Sequence, residues 1–84
     1  MSAKEMFEKL GYEYNNYGGH IDYQIYRTRN ISQVIDFRLD IKKIWLTCEE
    51  YINEDEKWVS NDFEITIELL QAINKQIEEL GWNE

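Results

Sequence analysis

The sequence predicts a single α+β domain over residues 1–84: an antiparallel sheet of three to five strands, flanked in the chain by an N-terminal and a C-terminal helix that pack on one sheet face. Two patterns carry this reading. Apolar residues recur at helical spacing at both ends of the chain, and between them the period switches to two in three separate runs. Composition agrees, because hydrophobic residues at 43% and aromatics at 14% supply a core. A chain of this length nevertheless buries only roughly 60–65% of the surface its unfolded form exposes.

The first helix opens at Ser2, which stands three residues before Glu5 in the spacing of a capping box. Ala3, Met6, Phe7 and Leu10 form its apolar stripe, and Gly11 ends it in a left-handed turn that lets Tyr12 pack back on Phe7. Tyr12-Glu13-Tyr14 reads as a short first strand, with Asn15 to Gly19 turning into the next. Three alternating runs follow: Ile21, Tyr23 and Ile25; Ile35, Phe37 and Leu39; then Ile44, Leu46 and Cys48. Arg29-Asn30-Ile31-Ser32 reads as a loose connection and Asp40-Ile41-Lys42-Lys43 as a tight one. Trp58-Val59 or Phe63-Glu64-Ile65 adds an edge strand beyond the acidic stretch Asn53-Glu54-Asp55-Glu56-Lys57. The last helix starts at Thr66, carries Leu69, Leu70, Ile73, Ile77 and Leu80 as its stripe, and ends at Gly81 with Trp82 folding toward Ile77.

Charge divides the chain. Residues 1–48 hold seven Lys or Arg against six Asp or Glu, whereas residues 49–84 hold two against eleven, and the total is -8. Affinity for nucleic acid phosphates comes from cations that displace counterions, so direct nucleic-acid binding is disfavoured. The same charge opposes anionic headgroups, and no apolar run approaches the roughly 20 residues that span a bilayer. The single Cys48 has no intramolecular disulfide partner, and Met1-Ser2-Ala3-Lys4-Glu5 lacks the basic-then-apolar pattern of a secretion signal. A cytoplasmic location is therefore expected.

Catalytic and ligand chemistry finds little support. One Cys and one His exclude structural zinc, and Cys48 with His20 is a poor nucleophile and base, since the thiol belongs to an apolar face and the imidazole to a glycine turn. Gly18-Gly19 lacks the flanking strand, helix and lysine of a phosphate loop, and the acidic stretch lacks the order of a calcium loop. No catalytic, cofactor-binding or metal-binding residue is assigned. Arg27, Arg29, Arg38, Lys42 and Lys43 form a cationic set able to hold phosphate groups, with cross-strand pairing to Asp22, Asp36 and Asp40 as the plainer role. Tyr14, Tyr26 and Trp45 are placed on the outer sheet face, as cross-strand pairs or as contact residues.

At Ala3-Lys4-Glu5-Met6-Phe7-Glu8-Lys9-Leu10-Gly11-Tyr12, and again from Leu70 to Trp82, the chain resembles short uncharacterised proteins encoded by phages and prophages of Gram-positive bacteria. The matching residues are helix and capping positions, so the resemblance implies a shared fold and origin and transfers no active site. Together with the acidic C-terminal half, it implies a non-enzymatic accessory protein that binds a protein partner. By analogy with acidic phage proteins that occupy nucleic-acid channels of host enzymes, Glu49, Glu50, Glu54, Asp55, Glu56, Asp62 and Glu64 would face Lys and Arg on that partner. Trp45 and Trp58 complete the expected contact set, and either can be covered in a homodimer rather than a monomer. The alternatives are a small-molecule or signal-nucleotide binder and a purely structural domain.

Overall fold

Hydrogen bonds made within a few residues set both helix ends. The computed structural model describes residues 1–60 and 62–82, and in it α1 spans Ala3–Lys9 and α2 spans Ile67–Glu79. Ser2 Oγ accepts from the Glu5 backbone N–H at 3.1 Å, and Glu5 Oε1 accepts from the Ser2 N–H at 3.0 Å, which closes the capping box. The Ser2 backbone N–H, and then its hydroxyl, hold the Glu5 carboxyl below the ordinary carboxylate range. Gly11, at φ +96°, lets its own N–H reach the Glu8 carbonyl at 3.0 Å and the Tyr12 N–H reach the Phe7 carbonyl at 3.1 Å. Gly81 and Trp82 repeat this pair of bonds to Glu78 and Ile77 at the end of α2. Both are Schellman closures. Thr66 Oγ1 caps α2 by accepting from the Leu69 N–H at 3.1 Å. Glu79, at the far end of α2, accepts from the Ala3 N–H at 2.8 Å and ties the second helix to the open N-terminus of the first.

Between the helices runs a five-stranded antiparallel meander: β1 (Glu13–Asn16), β2 (His20–Tyr26), β3 (Ile31–Arg38), β4 (Lys43–Tyr51) and β5 (Lys57–Ser60), ordered β1-β2-β3-β4-β5. Register aligns Tyr14, Tyr23, Ile35 and Leu46 across four strands, and this row belongs to the face that meets the helices. Phe7 of α1 stacks on Tyr23 at a centroid distance of 3.7 Å, with Phe37 edge-on to both rings. The Tyr23 hydroxyl donates to Gln76 Oε1 of α2 at 2.5 Å. Both helices therefore meet on one side chain at the centre of the core. Leu69, Ala72 and Ile73 fill the α2 side, while Ile44 and Leu46 of β4 remain half-buried at the margin.

The α+β class, the flanking helices and the three central strands match the sequence reading; three details differ, and one open alternative is resolved. Tyr14 lies on the inner face, its ring 5.4 Å from that of Tyr23, because register pairs the two directly; Tyr26 and Trp45 do face outward. Leu70 is 43% exposed, and the buried stripe of α2 runs instead through Leu69, Ala72, Ile73 and Gln76. The connection from β2 to β3 closes before Ile31, since Thr28 Oγ1 accepts from the N–H groups of both Asn30 and Ile31. Ile31 and Ser32 are thus strand. Of the two candidate edge segments, Trp58-Val59 pairs as part of β5, while Phe63-Glu64-Ile65 is extended chain outside the sheet.

Candidate functional site

The acidic residues gather around the β4–β5 hairpin, which reaches past the area that the helices cover. Its tip is ordered by Asn53, whose Oδ1 accepts from the Asp55 and Glu56 N–H groups at 2.9 and 3.0 Å, while the Ile52 N–H donates to the Glu56 carbonyl at 3.0 Å. Backbone and Asn53 bonds make this turn, so the Glu54, Asp55 and Glu56 carboxylates are left at the surface. Every residue from Ile52 to Ser60 is exposed, including Trp58 at 68% and Val59. The arm therefore combines consecutive carboxylates with uncovered apolar side chains.

The nine candidate contact residues do not form one surface. Glu49 is half-buried and engaged: its carboxylate accepts from the Tyr51 hydroxyl at 2.8 Å and meets Lys57 Nζ at 3.4 Å. That hydrogen bond pushes the Tyr51 phenol above its ordinary pKa. Glu50 pairs with Trp58 on the helix-side face of the sheet, whereas Glu49 pairs with Val59 on the other. Asp62 and Glu64 line a cleft with Arg27 and Gln33 as the chain crosses toward α2. Trp45 stands apart on the outer face, 47% exposed, with the Arg38 guanidinium 4.4 Å above its ring and Arg38 in turn 3.1 Å from Asp36. The acidic and apolar residues that share the helix-side face and the tip are thus Glu50, Glu54, Asp55 and Glu56 with Ile52 and Trp58, while the exposed Val59 lies on the opposite face with Glu49. Ile52 and Val59 escaped sequence reasoning, because nothing local tells an uncovered strand face from a covered one.

The cationic set is divided. Arg27 and Arg29 lie at the β2–β3 turn, with Arg27 Nε donating to Gln33 at 2.7 Å, while Arg38, Lys42 and Lys43 lie at the β3–β4 turn. The length of β3, about 25 Å, separates the two groups, so they cannot grip one phosphate. Asp22 bonds Asn15 at 2.9 Å rather than a cation. Cys48 and His20 occupy opposite faces and opposite ends of the sheet, which removes the nucleophile and base pair. Among the described residues no group of three His, Cys, Asp or Glu side chains is placed to hold a metal ion, and no helix is long and apolar enough to cross a membrane.

A concavity of about 590 Å³ lies elsewhere, between Ile44, Trp45, Leu46 and Thr47 of β4 and Phe63 and Ile65 of the segment before α2. Its lining is mainly apolar, with the Thr47 hydroxyl as the one aliphatic polar group among the lining residues. Comparison of the chain with protein-family models, curated proteins and solved structures finds no match to any of them.

Proposed function

We propose that the domain acts without catalysis, by binding a protein partner through the acidic β4–β5 arm, as a phage-type accessory protein. What supports the reading is the arm itself: an ordered tip that presents Glu54, Asp55 and Glu56 beside the uncovered Ile52 and Trp58. Carboxylates in a row suit a cation-lined surface such as a nucleic-acid channel and steer association, while an exposed tryptophan supplies the apolar anchor that gives an interface its lifetime.

The test is capture from bacterial lysate at low and moderate salt, with the wild-type protein beside the triple variant Glu54→Lys/Asp55→Lys/Glu56→Lys and the single variant Trp58→Ala. These side chains make none of the turn's bonds, so the variants should fold. A stoichiometric partner that weakens with salt and is lost by the triple reversal is the expected result. Equal capture by the reversed arm would overturn the reading.

A further inference from the structure

Beside this reading, and independent of it, we propose that β4 carries a self-complementary open edge on which a second copy of the chain pairs, with a two-fold axis through Trp45. The edge follows from the parity of the ladder. The Tyr51 N–H donates to Asn30 at 2.7 Å, which turns the main-chain groups of odd-numbered β4 residues toward β3. The Ile52 N–H donates to Glu56, which turns those of even-numbered residues the other way. On that side β5 takes up Glu50 and Cys48 and stops at Ser60. The N–H and C=O groups of Ile44 and Leu46 are left without a strand partner among the described residues, in a strand rich in apolar and aromatic side chains. Edges of this kind template pairing with another chain.

A second copy fits this slot closely. Antiparallel pairing about an axis at Trp45 sets Ile44 of one copy opposite Leu46 of the other, and the reverse, so the four open groups on each chain meet four on its mate. The residue that must face itself is Trp45, neutral and half-exposed on the outer face, in the closely spaced type of cross-strand pair. On the inner side Ile44 and Leu46 come together over Phe63 and Ile65, which closes the apolar groove. Lys43 of each copy faces the neutral Thr47 of the other, so no like charges oppose each other directly across the pair. The contact also falls in the half of the chain whose charges nearly cancel, so the strongly acidic tip stays clear of it.

Sedimentation velocity and light scattering across concentration test this on the whole protein. The expected species has twice the 10.2 kDa of one chain, and added salt should strengthen it, because two chains of charge -8 repel at long range. Salt acts in the opposite sense on capture through the acidic arm, so the two readings fail separately. Trp45→Lys and Trp45→Glu should each be monomeric, and their equimolar mixture should recover the dimer, a rescue that only a residue facing its own copy gives. The triple reversal at Glu54, Asp55 and Glu56, which lowers the charge of -8 to about -2, should dimerise at least as well as wild type and with a weaker response to salt. Hydrogen exchange should slow at the Ile44 and Leu46 amides as concentration rises. Wild-type protein with the mass of one chain up to about 1 mM, the weak end of the affinity scale, would overturn the two-fold and leave the edge to an extended segment of another protein.

Discussion

Replacing Tyr23 with Phe deletes one oxygen and keeps the ring, and it should be among the costliest single-atom changes in this domain. Tyr23 is 1% exposed and Gln76 6% exposed, and the phenol donates to Gln76 Oε1 at 2.5 Å. Without that donor the amide oxygen of the buried Gln76 loses the hydrogen bond it accepts in the core. The cost is the desolvation of an orphaned acceptor, about 1–3 kcal/mol, against a total stability of about 4–13 kcal/mol for a chain of this length. At about 4–8 °C per kcal/mol for domains of this size, a loss of about 2 kcal/mol lowers Tm by roughly 8–16 °C. Gln76→Leu orphans the phenol and should cost a similar amount, whereas Tyr23→Phe with Gln76→Leu removes both polar ends and should cost less than the two added together. Urea unfolding followed by tryptophan fluorescence, with thermal circular dichroism, measures all three. The reasoning is refuted if Tyr23→Phe melts like wild type or if the two losses simply add. Burial also raises the Tyr23 phenol well above its ordinary value of 10.0. The neutral form is the one the fold accepts, so this stability is fully present below about pH 10 and declines as pH rises beyond it. Tyr23→Phe should flatten that alkaline decline.

Two further substitutions test the backbone and the sheet. Gly11→Ala forces a side chain into a position at φ +96° and sets its Cβ 3.1 Å from Ile25 Cδ1, so it should cost about 1–2 kcal/mol; an unchanged thermal midpoint would contradict the Schellman geometry. Ser32 is fully buried, and its hydroxyl finds no partner among the described residues, so Ser32→Ala should raise stability by about 1 kcal/mol. A lower urea midpoint would mean that the hydroxyl is satisfied in solution.

What was legible in the sequence is what local chemistry decides. Ser2 with Glu5, Thr66, Gly11 and Gly81 act within one turn of chain, so they mark the helix ends without reference to the rest of the molecule. The central strands were legible because three or more alternating positions fix a phase. Four-residue β1 offers no such run, and Tyr14 acquires its inward face only from the register that sets it opposite Tyr23. Gln76 was missed because a stripe read by hydrophobicity passes over an amide, yet the sequence held a signal: the inward Tyr23 of β2 requires an acceptor, and Gln76 stands three and seven residues after Ile73 and Leu69 on the buried face.

The candidate surfaces were harder to read, because each depends on where one element stops beside another. Phe63 and Ile65 alternate like strand residues, but alternation reports only that a segment has two different sides. Here one side closes over Ile44 and Leu46, where the helices do not reach, and the other turns Asp62 and Glu64 toward Arg27 and Gln33. A chain occupied in this way cannot also extend β5 along β4. Of the nine residues of β4, the last four are paired by β5 and the first five keep an open edge. The exposed acidic arm and the open apolar edge thus lie at opposite ends of β4. A change that lengthened β5 would be expected to close the edge and leave the arm untouched.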